Sequence, residues 1–226
     1  MSELASHLCS GICHQLPERT LHLGEVALPA CARCTGVHLG ALAMLLAVWL
    51  RGRIRSSVIW PTWVMGLFLV IWGLMGLDVV SAGLWPDLPW TNARRLVTGL
   101  LTGLTLPALL VPVMNLVSPS STEEGLSPLQ TPRDLAAPVG LALLLVAPLA
   151  LPIPLIWIAV GWAAVTGLAG LMTLINLTLI RALSAPRLLS RRREWPHWLL
   201  AAGLAVVELE IASWLRVMMG PRVPGL

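Results

Sequence analysis

The sequence predicts an all-α protein: a polytopic integral membrane helical bundle of about six transmembrane helices, with a small loop-rich Cys/His knuckle at its N-terminus. Three observations predict this. The mean hydropathy is +0.81, and 12% of the 226 residues are charged, about half the share found in soluble domains. Several apolar runs approach the roughly 20 residues that cross a hydrocarbon core. All four cysteines and four of the five histidines fall in the first 38 residues, the polar segment ahead of those runs.

In chain order, the predicted parts are an extramembrane Cys/His-rich knuckle over 1–34 and a core membrane domain of three helices over 35–117. A loop over 118–134 and a C-terminal membrane module of about three helices over 135–226 follow. Residues 1–34 lack a basic segment followed by an apolar one, so no signal peptide is expected. The helices are expected near 35–51, 58–82, 93–117, 135–151, 155–180 and 196–219. The fourth is interrupted by Pro138, Pro148, Pro152 and Pro154, breaks that survive only where neighbouring helices or water satisfy the freed backbone groups. The fourth and fifth could instead form a re-entrant pair. Trp49, Trp60, Trp63, Trp85, Trp90, Trp195, Trp198 and Trp214 fall near expected span ends, where indole rings settle at the lipid–water interface.

Arginine supplies every basic side chain outside histidine. Arg51, Arg53, Arg55, Arg133, Arg181, Arg187, Arg191, Arg192 and Arg193 fall in loops on one side. Arg19, Arg33, Arg94, Arg95, Arg216 and Arg222 fall on the other. The excess of basic loops on the cytoplasmic side predicts a multi-pass protein of the cell (inner) membrane with both termini extracytoplasmic. The net charge of +4 follows from this topology and does not imply nucleic-acid binding. Arg191 to Arg193 are expected to rest against anionic headgroups.

The spacing Cys13-x17-Cys31-x2-Cys34-x3-His38 has the character of a zinc site, since structural zinc takes four ligands from thiolate and imidazole. A helix starting near Cys31 would set Cys31, Cys34 and His38 on one face and would favour thiolate. His14, His22 or Cys9 could take the fourth position. The same residues allow other chemistry. Outside the cell, Cys9 and Cys13 or Cys31 and Cys34 could form disulfides, and Cys31/Cys34 could serve a membrane thiol–disulfide oxidoreductase. Cys9-x3-Cys13-His14 is one residue longer than a haem-attachment motif. His7 and His197 have no companions at ligand spacing.

A second set of polar residues converges on the same side. Asp78 closes the second helix. Asn92, Arg94 and Arg95 open the third, where Arg95, Thr98 and Thr102 form one stripe. Gly99 and Gly103 would let another helix approach closely. Ionisable groups at such depth pair with one another or line a cavity. One reading is an Asp78–Arg95 ion pair; the other is a cavity in which Arg95 binds an anion. Glu208 and Glu210 point about 200° apart on a helix, so at least one pairs elsewhere, Arg216 being a candidate.

The run Cys13-His14-Gln15-Leu16-Pro17-Glu18-Arg19, then Leu28-Pro29-Ala30-Cys31-Ala32-Arg33-Cys34-Thr35-Gly36 with Gly40, resembles the signature of a bacterial and archaeal membrane-protein family labelled domain of unknown function 2085. Thr91-Asn92-Ala93-Arg94-Arg95-Leu96-Val97-Thr98-Gly99, preceded by Asp78, resembles its second block. The likeness covers about residues 9–105. It implies that Cys13, His14, Gln15, Pro17, Arg19, Cys31, Arg33, Cys34, Thr35, Gly36, Asp78, Asn92, Arg95, Thr98 and Gly99 are motif positions. Thr20 stands where the family usually has serine, Val79 where it commonly has glycine, and Cys9 lies outside the motif. The resemblance supplies no reaction.

The resulting expectation is a zinc site made by Cys13, Cys31, Cys34 and either His38 or His14. It would lie over a polar outer-leaflet cavity with Asp78, Asn92 and Arg95 as candidate catalytic residues. Arg95, Thr98, Arg19 and Arg33 would bind an anionic lipid headgroup or small anion. A metal that kept a water ligand would bring hydrolysis within reach, because zinc lowers the pKa of bound water to about 7. The contrasting classes are the thiol oxidoreductase and a structural subunit of a membrane complex.

Overall fold

The computed structural model describes residues 3–84, 91–117, 127–183 and 195–219. Helix α1 (Glu3–Ser10) is followed by a 3-10 turn, Pro17–Arg19, and by an antiparallel hairpin of β1 (Thr20–Leu23) and β2 (Val26–Cys31). The hairpin turns at Gly24, whose φ of 55° is left-handed, a conformation glycine adopts without steric penalty. The remaining helices are α2 (Ala32–Leu50), α3 (Thr62–Leu84), α4 (Thr91–Leu116), α5 (Ala136–Val146), α6 (Pro154–Leu183) and α7 (Trp195–Met218). Among the described residues, six stretches are long and apolar enough to cross a membrane; the fourth is Pro132–Ala150, in which α5 is extended by 3-10 turns at both ends. The knuckle is therefore more ordered than the loop-rich segment expected, with a helix and a small sheet.

Helices α2 and α4 form the centre. Gly36 and Gly40 on α2 face Gly99 and Gly103 on α4. A Cβ at Gly36 would meet the backbone of Leu96 and Leu100, and one at Gly99 would meet that of Arg33 and Val37. The small-residue approach expected for Gly99 and Gly103 is thus reciprocal. Helix α6 meets the flank of α2 where Gly167 lies against the His38 carbonyl. Proline in α4 is compensated in the way membrane helices require. Pro112 has no N–H for the carbonyl of Ala108, and the Trp60 indole N–H donates to that oxygen at 2.7 Å instead.

At the end of the bundle away from the cysteines, the arginine loops are latched together. Asp134 accepts from the Arg51 guanidinium and from Arg53 Nη1 at 3.1 Å. Its Oδ2 takes the backbone N–H groups of Gln130 and Thr131, each at 2.8 Å. Asn115 Nδ2 donates to the carbonyls of Ile54 and Ser56, and Arg181 donates to Asn115 Oδ1 at 3.2 Å. This places 51–57, 127–134 and the end of α6 at one level, as the arginine count expected. Arg51 and Arg53 bind a carboxylate rather than standing free. Trp49, Trp195 and Trp214 are exposed near helix ends. Trp85, Trp90, Arg187, Arg191, Arg192, Arg193 and Arg222 lie outside the described residues.

Candidate metal centre and the neighbouring arginine cluster

Cys31 ends β2 and occupies the N-cap position of α2, and Cys34 follows in the first turn. Cys13 arrives from the other side, on the loop after α1. That loop bends at Gln15, whose φ of 52° is left-handed. Its amide Nε2 donates to the carbonyls of Ser6 (2.6 Å) and Pro29 (2.8 Å), tying α1 to the hairpin. The three Sγ atoms of Cys13, Cys31 and Cys34 lie within 4.8 Å of one another. Backbone N–H groups of Cys31 (3.1 Å) and Gln15 (3.4 Å) point at the Cys13 sulfur. All four cysteines are free thiols.

The cluster has room for negative charge. The Cys31 thiol is held far below its usual range by S–H donation from Cys13, then from Cys34, and by the backbone N–H groups of Cys34 and Arg33. The helix N-terminus acts in the same direction. Cys13 is raised, chiefly because it donates its proton to Cys31. Cys9 is completely buried and lies outside the three-sulfur cluster. Burial, and then proximity to Cys13, pushes it up to about 12, so it stays a thiol at neutral pH.

Neither histidine proposed from spacing lies in that cluster. His38 is buried in α2, one turn beyond Cys34, with Nδ1 lacking a hydrogen-bond partner among the described residues. His14 is exposed, and its carbonyl accepts from Arg216 Nη2 at 2.6 Å. His22 bonds the Pro17 carbonyl at 3.0 Å.

The second polar cluster differs in its pairing from the expectation. Asp78 does not pair with Arg95. Its carboxylate accepts from Arg33 Nε at 3.2 Å and from Arg33 Nη2, from Arg94 Nε at 2.7 Å and from Thr98 Oγ1 at 3.3 Å. Adjacent residues of a helix point about 100° apart, and it is Arg94 that faces α3. Arg95 is 7% exposed and donates to Asn92 Oδ1 at 3.0 Å, while Asn92 Nδ2 reaches the Glu18 carbonyl at 3.2 Å. Thr98 and Thr102 also bond carbonyls of their own helix. Arg19, on the knuckle, is exposed beside Glu18 at 3.9 Å, within electrostatic range of Arg95. One buried carboxylate thus faces two arginines. Arg95 makes no ion pair among the described residues, and Arg94 Nη2 is buried with no partner.

Residues 13–109 match the family described as "Predicted membrane protein (DUF2085)". The resemblance read from the motifs holds. The matched segment carries the three clustered cysteines, Asp78 and the arginines around it. An uncharacterized protein of Methanothermobacter thermautotrophicus is 46% identical over 39 residues, 17% of this chain. The chain covers 35% of that relative's length. No solved structure matches the chain.

Helices α6 and α7 lie beyond the match, yet they enclose the cysteines. Val165, Leu168 and Met172 of α6 and Leu209 of α7 pack around Cys9, Cys13, Cys31 and Cys34. Arg216 of α7 donates to the carbonyls of Ser10 (2.6 Å), Cys13 and His14. It thereby satisfies carbonyls left open where α1 ends. Arg216 is therefore engaged with the knuckle and with neither glutamate of α7. Glu210 pairs with His7 at 3.1 Å, and Glu208 accepts from Asn176 Nδ2 at 2.9 Å. His7, which has no companion at ligand spacing, is a tether between α1 and α7. The contacts of Arg216 and Glu210 with the knuckle join positions about 200 residues apart, and spacing within one segment carries no sign of them. A cleft of about 530 Å³ lies beside this clamp, lined by Ser10 to Leu16 together with Ala212, Arg216, Val217 and Met219.

Proposed function

We propose that the chain is a membrane protein whose Cys13, Cys31 and Cys34 hold a zinc ion, and whose arginines beside that site bind a phosphate-type anion. The observation that carries the metal reading is the convergence of three free sulfurs from two separate segments within 4.8 Å. The donor set suits zinc, which takes thiolates readily and needs no redox partner. The N–H groups aimed at Cys13 support a thiolate there, as hydrogen bonds around a metal site do. We assign the fourth position to His38, buried one turn beyond Cys34 with Nδ1 free of a partner; His14 is the alternative ligand. The metal would hold the knuckle onto the head of α2.

The anion reading rests on the imbalance of charge. Arg33 and Arg94 share one buried carboxylate, Asp78, while Arg19 stands beside Glu18 at the surface, and among the described residues the Arg95 guanidinium has one neutral partner, Asn92. Asp78 positions Arg33 and Arg94, while Arg95 and Thr98 would face the ligand. A phosphodiester headgroup and free inorganic phosphate offer the same oxygens.

Two experiments test the two halves. Zinc is measured in purified protein and in Cys13→Ser, Cys31→Ser, Cys34→Ser, Cys9→Ser, His38→Ala and His14→Ala. Loss of zinc in the first three and in His38→Ala, with retention in Cys9→Ser and His14→Ala, is the expected pattern; zinc in all six contradicts it. For the anion, native mass spectrometry compares inorganic phosphate with phosphatidylglycerol on wild type and Arg95→Ala. Equal binding of both ligands by the two proteins would remove Arg95 from the site.

A further inference from the structure

Between the Cys13 loop and the last turn of α7 lies the cleft of about 530 Å³, a volume within the range of small-molecule sites, about 300–1,000 Å³. Of the three clustered cysteines, Cys13 alone borders it. It opens where two segments part. The end of α1 touches α7 at Gly11, where a Cβ would stand 2.6 Å from that of Ala212. Beyond this contact α7 runs on to Met218, while the loop bends away at Gln15, whose φ is left-handed. Helix α7 is long and apolar enough to span the bilayer and ends here, so the cleft lies where hydrocarbon gives way to headgroups. Trp214, exposed just before Arg216, marks the same level.

The lining is amphiphilic. Ile12 and Leu16 from the loop and Val217 and Met219 from α7 form its apolar part, and His14 and Arg216 add polar groups. Ile12, Val217 and Met219 are exposed. A guanidinium carries about five N–H donors. Arg216 directs Nη1 at the carbonyls of Ser10 and Cys13 and Nη2 at that of His14. The Nε–H and one N–H of Nη2 remain. The carboxylates of α7 are engaged elsewhere, Glu210 with His7 and Glu208 with Asn176. Among the described residues, Arg216 therefore has neutral partners and no ion-pair partner, at a level where an unpaired charge is costly.

We propose that this cleft binds one anionic phospholipid from the leaflet on the knuckle side. Its phosphate oxygens meet the remaining donors of Arg216, and an acyl chain lies along Ile12, Val217 and Met219. The phosphodiester supplies the missing negative charge, and its paired oxygens suit the fork of a guanidinium. The apolar lining selects a lipid over a free anion, because an acyl chain removes that surface from water and phosphate alone does not. The site is separate from the one at Arg95 and does not depend on the metal.

Photolabelling tests this on the full-length protein in phosphatidylcholine vesicles that carry a trace of phosphatidylglycerol with a diazirine on its acyl chain. Mass spectrometry locates the adducts. Val206 and Val207, exposed farther along α7, report the lipid that merely surrounds the helix. The expected result is labelling at Ile12, Val217 or Met219 that unlabelled phosphatidylglycerol competes away and inorganic phosphate does not, while labelling at Val206 and Val207 is not competed. Arg216→Gln keeps N–H donors for the knuckle carbonyls and removes the charge. It should raise the phosphatidylglycerol needed for competition about tenfold, the effect of losing one charge-assisted hydrogen bond. Val217→Trp fills the cleft with Arg216 in place, so its loss of the competed labelling is read independently of any loosening of the knuckle. Cleft labelling that phosphatidylglycerol does not lower would mean surrounding lipid only and would overturn the proposal. Competition by inorganic phosphate would do so as well, because the ligand would then be a free anion. Competed labelling at the wild-type level in both variants would also contradict it.

Discussion

Cys31 shows most clearly how single residues create the chemistry at the knuckle. It combines the N-cap position of a membrane helix with two neighbouring thiols, and it therefore holds the first negative charge of the cluster. Cys13 keeps its proton at neutral pH because it donates to Cys31. Metal can replace that proton, and binding then releases it to solvent. The sign follows: zinc affinity falls as pH falls, by about tenfold per unit for each proton released. Competition with a chromophoric chelator between pH 6 and 8 checks this, and a flat profile would contradict it. Spacing along the chain makes the three cysteines legible as a set. It does not choose between Arg94 and Arg95 as the partner of Asp78. That choice depends on the rotation of α3 against α4, a tertiary quantity with no local signature. The paired role of His7 is hidden for a related reason, since its partner is 203 residues away.

Among the elements, the reciprocal glycine pairs of α2 and α4 matter most. They bring the backbones close enough for Arg33, at the start of α2, and Arg94 and Thr98, at the start of α4, to share Asp78. Half of this contact is visible in the sequence as Gly99-x3-Gly103; its partner requires knowing that α2 and α4 are neighbours. Gly36→Ala would place a Cβ 2.8 Å from the Leu100 backbone nitrogen. We expect a loss of about 1–3 kcal/mol, read as a melting temperature several degrees lower. Gly73→Ala in α3 meets nothing within 4 Å and should melt like wild type. Similar melting of both variants would show that the close approach is not what sets the stability. The β1–β2 hairpin is not legible in the sequence because Pro29 lies inside β2, and proline in a short polar run argues against a strand. β2 tolerates it in a two-stranded sheet, where one edge of each strand is unpaired.

Across the whole molecule, the two ends of the bundle are held by different means. Asp134, Asn115 and Arg181 latch the arginine-loop end, and the cysteine knuckle closes the other. The six-helix architecture is legible from composition and run length, because a bilayer imposes the length of each span. The relation between the halves is not. Residues beyond the family match read as an added module, yet α6 and α7 wall in the cysteines and Arg216 holds the Cys13 loop. Whether this enclosed cluster is a metal centre is decided by elemental analysis of detergent-purified wild-type protein, paired with a free-thiol count under denaturing conditions. A metal centre at the knuckle requires about one zinc per chain with all four thiols free. No metal and two or fewer free thiols would contradict it and turn attention to disulfide exchange at Cys31 and Cys34.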